Sequence, residues 1–396
     1  MTAIDRRTAL AWFMAAPAAA WFAGHEAAAA GGADRIATNE TGLDEILFVA
    51  ARKAPSLGYS ASIFRRDGTD VASVPLPGRG HDAAWCKATR TCVIFARRPG
   101  TFAVAISPDH NHRPVTFASP AGRHFYGHGV FSTDGRLLYA TENDYEAATG
   151  CLGIYDATDR FRRIGEFPSH GTGPHDIALI EGGRTLVVAN GGIETHPDIG
   201  GGREKLNLPT MEPSLAYIDS VTGDLIESHR LPADLSRLSL RHLAIGAGAR
   251  TVIGSQFEGA PEAEVPLVTI HRRGRSLVRV DLGESLARRF RGYVSSVAVD
   301  TSGDIAAVTS ARGGVVAFID VSTGRLLGHR TLADVSGVAP LPLRVEGRAG
   351  AGLGRPRGGF LLTSGHGIIA EAAASDTDDH TTATPWHWDN HAEALG

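Results

Sequence analysis

The sequence predicts an all-β fold, and specifically a seven-bladed β-propeller closed by pairing of its N- and C-terminal strands. Three observations support this prediction. From residue 45 onward, short apolar segments alternate with Gly, Pro, Asp and Asn, and helical periodicity is nearly absent. These segments recur at the spacing of a four-stranded blade. The first segments also lack a partner strand, which the last residues of the chain could supply.

The repeat is visible in two pairs of equivalent segments. His81 and His175 each precede an Arg by nine positions (90−81 and 184−175). His128 and His242 each precede an Arg by eight positions (136−128 and 250−242). A fifth unit begins near residue 295 and a weaker sixth near residue 338, so the starts lie about one blade apart. An insertion over residues 191–211 lengthens the interval between the third and fourth starts.

The two ends of the chain complete one blade in this prediction. Apolar segments at 46–50, 60–64 and 71–76 resemble the second, third and fourth strands of a blade that lacks its first. The segment 388–392 could supply that first strand, which removes exposed sheet edges. The count is then seven blades. A ring of six or eight is the alternative, because the unit near residue 338 is poorly marked.

Composition and charge exclude several classes of protein. The 396-residue chain has 48 Gly, 20 Pro and a 43% hydrophobic share, which excludes a disordered chain. A formal net charge of -4 argues against binding of nucleic acid through a broadly basic surface. Three Cys are too few for a disulfide scaffold. The 17 His are the most informative excess, because imidazole serves so often in metal binding and proton transfer.

The first 30 residues have the pattern of an export signal. Arg6-Arg7 precedes an Ala-rich apolar stretch, and small residues end the segment. This pattern predicts a twin-arginine signal peptide over residues 1–30, a linker over 31–44 and a single propeller domain over 45–396. We therefore expect a periplasmic protein with no membrane span in its mature chain. An N-terminal membrane anchor is the alternative, but the stretch falls short of the ~20 residues that a spanning helix needs.

A periplasmic location would also affect the cysteines. Cys86 and Cys92 flank a short connection between two predicted strands. A disulfide between them is sterically allowed and would persist in an oxidising compartment. Two buried free thiols are the alternative. Cys151 has no obvious partner.

Histidines recur where the first strand of a blade begins. That strand lines the channel of a propeller, so imidazoles repeated at its start can converge and bind a transition metal such as iron or copper. The predicted metal ligands are His81, His128, His175, His242, His366 and His391. The Asp that follows His81 and His175 could orient a ring. The alternative is that these histidines only tie neighbouring blades together. His124 and His387 lie nearby in the sequence, and nine others, including His229 and His271, are interpreted as surface residues.

Three arginines precede repeated histidines by one to five positions. Arg79, Arg123 and Arg241 could therefore bind an anionic group of a cofactor or substrate beside the imidazoles. Salt bridges at the surface or between blades are the alternative. No Gly-x-Ser-x-Gly elbow, P-loop, His-Glu-x-x-His or Cys-x-x-Cys motif occurs in the sequence.

Five segments together give the chain a family resemblance. They are Arg79-Gly80-His81-Asp82, Tyr126-Gly127-His128-Gly129-Val130-Phe131-Ser132, Gly173-Pro174-His175-Asp176, Leu240-Arg241-His242-Leu243 and Trp388-Asp389-Asn390-His391. With the leader, they resemble a secreted bacterial family labelled domain of unknown function fifteen-thirteen. The resemblance implies a propeller of the YVTN or quinoprotein-amine-dehydrogenase-like type, encoded beside imelysin-like and other periplasmic iron-uptake proteins. It implies neither an activity nor a set of catalytic residues.

A more distant similarity is to the propeller domain of nitrous oxide reductase, in which histidines from several blades hold a copper cluster. Gly173-Pro174-His175-Asp176 carries this similarity. The chain lacks a cupredoxin domain with paired Cys ligands, so we do not expect reductase activity.

Three functions are consistent with these observations. The first is a periplasmic propeller that binds iron, copper or a metal-bearing partner through the histidines, as an accessory to iron uptake. The second is an enzyme, either a lactonase-type hydrolase or a redox enzyme, that uses the same histidines with an Arg or a carboxylate. The third is an interaction scaffold without a catalytic site.

Overall fold

The strands of the chain form seven antiparallel sheets arranged as blades around one axis. The computed structural model describes residues 46–54, 56, 58–109, 113–260, 263–344, 357–374 and 380–396. Within them, six sheets have four strands, and the seventh also contains a second short strand from near the C-terminus. This confirms the prediction of an all-β, seven-bladed propeller. The predicted leader, 1–30, and linker, 31–44, lie outside the described residues.

The first four blades take up the N-terminal half of the described chain. Their strands are β1 (Leu47–Ala54), β2 (Gly58–Phe64) and β3 (Asp70–Pro75) in blade 1; β4 (Gly80–Cys86), β5 (Thr91–Ala96), β6 (Phe102–Ile106) and β7 (Val115–Ala118) in blade 2; β8 (Arg123–Phe131), β9 (Leu137–Asp144), β10 (Thr149–Asp156) and β11 (Arg162–Pro168) in blade 3; and β12 (Pro174–Ile180), β13 (Thr185–Asn190), β14 (Ser214–Asp219) and β15 (Leu225–Arg230) in blade 4.

The remaining three blades follow, and then the strands that return to blade 1. These strands are β16 (Leu238–Gly246), β17 (Arg250–Phe257), β18 (Val268–His271) and β19 (Val278–Arg279) in blade 5; β20 (Ser296–Val299), β21 (Ile305–Ser310), β22 (Val315–Asp320) and β23 (Leu326–Thr331) in blade 6; β24 (Val335–Arg344), β25 (Arg357–Ser364), β26 (Ile368–Ala373) and β27 (His380–Ala383) in blade 7; and β28 (His387–Trp388) and β29 (Glu393–Leu395) in blade 1. The one α-helix of the described residues, α1 (Glu284–Arg289), lies between blades 5 and 6.

The ring closes through C-terminal strands, as the sequence predicts, but these strands are 387–388 and 393–395, so most of the predicted segment 388–392 lies between them. β1 pairs antiparallel with β28, where Arg52 lies opposite Trp388, and with β29, where Phe48 lies opposite Ala394. The innermost strand of each blade contacts the innermost strand of the next, and β29 contacts both β24 and β4. Each blade ends toward the axis in an innermost strand with one hydrogen-bonded neighbour, and closure leaves these short edges protected inside the ring.

Burial follows the position of a strand within its blade. Every residue of β13, a second strand, is buried, so this strand is a continuous apolar run with a polar residue at each end. The outermost strand β11 instead alternates exposed and half-buried residues, because only one of its faces packs on a neighbour. In the described residues the buried apolar side chains form seven clusters, one between each pair of neighbouring blades. Packing between blades therefore fixes the geometry of the axis.

The turns of the repeat are set by aspartates. Asp219 ends β14, and its Oδ1 accepts hydrogen bonds from the backbone N–H groups of Val221 (2.8 Å) and Thr222 (2.9 Å). Asp320 ends β22 and makes the same two bonds, at 3.0 and 2.9 Å. These bonds satisfy backbone donors at the turn between the third and fourth strands. No helix in the described part of the chain is long and apolar enough to cross a membrane.

The disulfide considered from the sequence does not form. Within the described residues, Cys86, Cys92 and Cys151 are all buried free thiols. The register of blade 2 explains this, since Cys86 lies opposite Thr91 while Cys92 lies opposite Trp85. Opposed residues share one face of a sheet, so the two thiols project from opposite faces. Accordingly, Cys86 packs between blades 2 and 3, and Cys92 packs between blades 1 and 2.

We expect the cysteines to stay reduced and unreactive in the folded protein, even without a reductant. Burial raises the pKa of the Cys92 thiol far above its ordinary value and that of Cys151 to about 12, so neither forms a thiolate at neutral pH. Titration with a thiol reagent should detect almost no reaction in the native state and three thiols after denaturation. Detection of a single thiol after denaturation would contradict the register.

Candidate functional site

Five of the six predicted histidine ligands meet at the axis. They are His81, His128, His175, His242 and His391. Ring centroids are 4.9 Å apart for His81 and His128, 4.9 Å for His128 and His175, and 4.8 Å for His175 and His242. His391 lies 4.7 Å from both His242 and His81. The set, called the histidine cluster below, draws one imidazole from each of blades 1 to 5.

Irregular pairing brings these side chains to the axis. The registers of β4, β8 and β12 shift at the position of the histidine, for example between Pro174 and Asp176 on either side of His175. The register of β16 shifts one residue earlier, at Arg241, and His242 is paired with Gly254. His391 lies in the gap between β28 and β29. A bulge bends its strand and redirects a side chain that regular alternation would place elsewhere. The histidines therefore converge because an irregularity of strand pairing recurs in these blades together with the histidine itself.

The cluster presents unpartnered nitrogen atoms. One ring nitrogen of each imidazole is inaccessible to solvent and makes no hydrogen bond: Nδ1 of His81, His175 and His242, and Nε2 of His128 and His391. Buried polar atoms almost always have a partner, because an unsatisfied one costs about 1–3 kcal/mol. Five such atoms in one place are the arrangement expected where a further ligand belongs.

In His128 and His391, whose unpartnered nitrogen is Nε2, polar groups contact the other ring nitrogen, Nδ1. Nδ1–H of His128 donates to Asp82 Oδ2 at 2.8 Å, and Asp176 Oδ1 lies 3.4 Å from the same nitrogen. Ser296 Oγ, from blade 6, lies 3.1 Å from Nδ1 of His391. A carboxylate behind an imidazole fixes its tautomer and directs the other nitrogen forward, as in many metal sites. These contacts also join blades 2, 3 and 4, so His128 ties neighbouring blades together.

Burial keeps most of the cluster uncharged. Burial and the neighbouring imidazoles lower the pKa values of His81, His175 and His242 well below the ordinary value, and that of His391 falls to about 4. These four rings are therefore neutral at pH 7, which is the form that binds metals. Burial acts in the same direction on His128, but the Asp176 and Asp82 carboxylates outweigh it and raise its pKa to about 10. This ring is therefore protonated at pH 7, and a metal ion would displace the proton from its Nε2 on binding.

The cluster contains two triads of candidate metal ligands. Candidate ligand atoms of His81, His128 and His391 all lie within 4.8 Å of one another, and the same holds for His128, His175 and His242. Two bonds of about 2 Å to one ion place their ligand atoms 3–4 Å apart. The two triads share His128, so the cluster could hold one ion or an adjacent pair.

Two predicted site residues lie elsewhere. His366 is exposed, and its Nε2 is 3.9 Å from Asp334 Oδ2, so the structure does not bring it to the histidine cluster. It follows β25 in a turn that faces solvent. Arg123 is held by Asp144 at 2.8 Å and Glu166 at 3.0 Å, which agrees with the salt-bridge alternative for this residue.

Arg79 and Arg241 do line a cavity beside the cluster. This cavity, called the mouth cavity below, has a volume of about 390 Å³, and His81, His175 and His242 contribute to its wall. A second cavity of about 300 Å³ contains His242 and His391 together with the carboxyl groups of Asp82, Asp176 and Glu393. The cluster thus borders a basic cavity and an acidic one.

A further group of ligand-type residues escaped the sequence analysis. His271 is buried in β18, and His229 and Glu227 lie on β15, with the two imidazole centroids 4.0 Å apart. Their candidate ligand atoms also lie within 4.8 Å of one another. The interpretation of His271 as a surface residue is therefore wrong. The sequence did carry a sign of this burial, since His271 ends the short, largely apolar segment Val268–His271, all of which is buried.

We expect Gly127→Ala to distort the histidine cluster. Gly127 has a φ of +112°, and a Cβ there would overlap the His81 ring at Cδ2 and lie 3.0 Å from its Cβ and Cγ. The variant should lose about 1–3 kcal/mol of unfolding free energy and bind metal at least ~10-fold more weakly. Chemical denaturation and metal titration measure the two effects.

Gly122→Ala is the matched control for that variant. Gly122 also has a positive φ, +80°, but its Cβ would have no neighbour within 4 Å. It should lose about 1 kcal/mol from backbone strain and keep its metal affinity. Equal losses of metal affinity in the two variants would contradict the role of the contact with His81.

Comparison with known proteins supports the fold and a family. A family model described as "Protein of unknown function (DUF1513)" matches residues 74–395. The solved structure titled "Kuenenia stuttgartiensis Hydrazine Synthase" superposes with a TM-score of 0.54 and 14% sequence identity, covering 82% of this chain and 89% of that one. At that identity the likeness shows a shared fold alone. No curated protein matches the chain significantly.

Proposed function

The chain belongs to the family described as "Protein of unknown function (DUF1513)", and from its site we propose that it is a periplasmic β-propeller that binds a transition metal through the histidine cluster. One observation carries the proposal: five imidazoles from five blades each present a buried nitrogen that makes no hydrogen bond. Polar groups that only tied blades together would be paired with each other.

The donor set indicates the class of metal. Imidazole suits copper, zinc, iron and nickel, whereas Mg²⁺ and Ca²⁺ prefer oxygen ligands. The carboxylates of Asp82 and Asp176 contact Nδ1 of His128 and form a separate group of candidate ligands with it, whereas the five imidazoles present their unpartnered nitrogens elsewhere. Among divalent ions, copper should bind most tightly because of its position in the Irving–Williams order. We propose iron or copper as the resident metal, iron on the gene context that the family resemblance implies.

Metal analysis tests the proposal directly. Protein purified after expression in its full length is analysed for copper, iron and zinc, stripped with a chelator, and titrated with each ion. We expect stoichiometric binding and a rise in melting temperature, because an ion at 1,000 times its Kd adds about 4 kcal/mol to the folded state. Absence of binding tighter than micromolar for all three ions would overturn the proposal.

The group around His271 needs a separate arm of this experiment. His229→Gln removes a ligand from that group and leaves the histidine cluster intact, since the two lie on different strands. Ions that the His229→Gln variant loses are bound by the group around His271, and ions that it retains are bound by the histidine cluster. Retention of no ion by His229→Gln would contradict metal binding at the axis.

The periplasmic location and the link to iron uptake are proposed from the sequence. Arg6-Arg7 in an Ala-rich leader supports export by the twin-arginine route. Changing both to Lys should keep the protein in the cytoplasm, as cell fractionation would show. The partners would then be periplasmic iron-uptake proteins, and co-purification from iron-starved cells tests this. Export of the Lys-Lys variant at the wild-type level would contradict the route.

A further inference from the structure

The mouth cavity is strongly basic. Seven cationic side chains line it, and none of its described lining residues is acidic. We propose that this cavity binds a small, multiply charged oxyanion, a polycarboxylate or a phosphate, directly against the histidine cluster. The inference goes beyond metal binding, because the basic side chains occupy the cavity whether or not an ion is bound.

Two carboxylates neutralise only part of this charge. Asp389 pairs with Arg79 (Nε to Oδ2, 2.5 Å) and lies 3.7 Å from Arg97. Glu258 pairs with Arg241 at 3.2 Å and also with Lys205. Four cations thus share two carboxylates, so seven cationic side chains retain a surplus of five positive charges.

Three of the cations have no ion pair within the described residues. Arg98 and Arg312 instead lie over aromatic rings, 6.0 Å from the centroid of Tyr126 and 4.6 Å from that of Tyr293. Arg203 extends from the insertion in blade 4. An aromatic ring positions a guanidinium and leaves its N–H donors free to bind an anion.

Burial makes the surplus charge effective. Arg241 is only 6% exposed, and its Nε is buried without a hydrogen-bond partner. Burial lowers the pKa of Arg98 to about 10, which still leaves it charged at neutral pH. A charge that has lost much of its hydration binds an opposite charge more strongly than an exposed one does, and leaving it unpaired is costly. The cavity therefore favours an anion as its occupant.

Three loops that line the mouth cavity occupy equivalent positions in their blades. Arg97 and Arg98 follow β5, Arg203 and Lys205 lie in the insertion after β13, and Arg312 follows β21. All three are connections between the second and third strands of a blade, in blades 2, 4 and 6. Cations repeated on the same face of three blades surround an opening from several sides, which suits a ligand with several charged groups.

Size and geometry define the ligand class. A volume of about 390 Å³ holds about a dozen water-sized groups, at roughly 30 Å³ each. Guanidinium groups match carboxylate and phosphate oxygens in a bidentate manner, and this matching is shared by both acids. Since His81, His175 and His242 form part of the wall, a bound anion would touch the imidazoles.

Calorimetry on metal-free protein tests the proposal independently of the metal. Citrate, pyrophosphate and inorganic phosphate are titrated at low and high salt, with acetate as the monovalent comparison. We expect 1:1 binding of citrate or of the phosphates, at least ~10-fold tighter than acetate and weaker at high salt. The preferred acid identifies the ligand chemistry. Failure of all three anions to bind would overturn the proposal while leaving metal binding to its own test.

Variants locate the anion in the mouth cavity. Arg203→Gln/Arg312→Gln changes two exposed residues without carboxylate partners in the described chain, so the protein should fold normally. It should bind the preferred anion at least ~10-fold more weakly, and adding Arg98→Gln should weaken binding further. Arg162→Gln, an exposed arginine on β11, is the matched control and should bind normally. Equal affinity in the double variant and the control would overturn the assignment.

Discussion

His128→Gln is expected to abolish stoichiometric metal binding. His128 belongs to both triads of candidate ligands, and its ring centroid lies 4.9 Å from those of His81 and His175 and 5.0 Å from that of His391. Removal of a residue that supports a metal ligand already reduces affinity about 10–100-fold, so loss of the shared ligand should exceed ~100-fold. Metal analysis and titration of the stripped protein measure the change.

His366→Gln is the matched control for this variant. The sequence placed His366 in the site, but the structure places it in an exposed turn outside the cluster. It should bind metal as the wild type does. Because His128 also pairs with Asp82, unfolding of both variants should be compared without metal. Full metal content in folded His128→Gln would refute the site.

The second large effect is expected for Trp388→Ala, which should lower the unfolding free energy by about 3–5 kcal/mol. Trp388 lies in β28, is 3% exposed and packs on Phe64 with ring centroids 4.5 Å apart. Its Nε1–H donates to Thr384 Oγ1 at 3.1 Å. The substitution leaves a cavity between blades 7 and 1, where the ring closes. Chemical denaturation measures the loss.

Two comparisons make that result specific. Val221→Ala changes an apolar residue that is 81% exposed, and it should alter stability by no more than about 0.5 kcal/mol. Trp388→Phe keeps the aromatic ring and loses the hydrogen bond, so it should fall between wild type and Trp388→Ala. If Trp388→Ala were as stable as Val221→Ala, closure by β28 would contribute little to the fold.

The sequence predicted the blades because each one repeats the same burial pattern. Spacing placed His81, His128, His175 and His242 at equivalent positions, and the incomplete first blade identified 388–392 as the closing segment. Those inferences need only periodicity, which hydrophobic burial imposes on every blade alike. The position of His366 could not be predicted in this way, because it lies in a turn after a second strand, where periodicity does not determine the direction of a side chain.

The mouth cavity was predicted only in part. Arg79 and Arg241 adjoin repeated histidines and could be selected, whereas Arg203 and Arg312 lie in connections of different length. Loop side chains meet in space through the arrangement of the blades, and that distance does not appear along the chain. Cys86 and Cys92 project from opposite faces of their sheet because of the strand register. A shift of that register by one residue would place both thiols on the same face.

Closure of the ring also sets when the site can exist. The ion pair between Arg79 and Asp389 spans 310 positions, and His391 lies two residues further on. A ribosome therefore synthesises four of the five imidazoles long before the fifth, and the cluster stays incomplete until the C-terminal segment has been made. An ion that needs all five imidazoles would therefore bind after translation, once the two ends of the chain have joined.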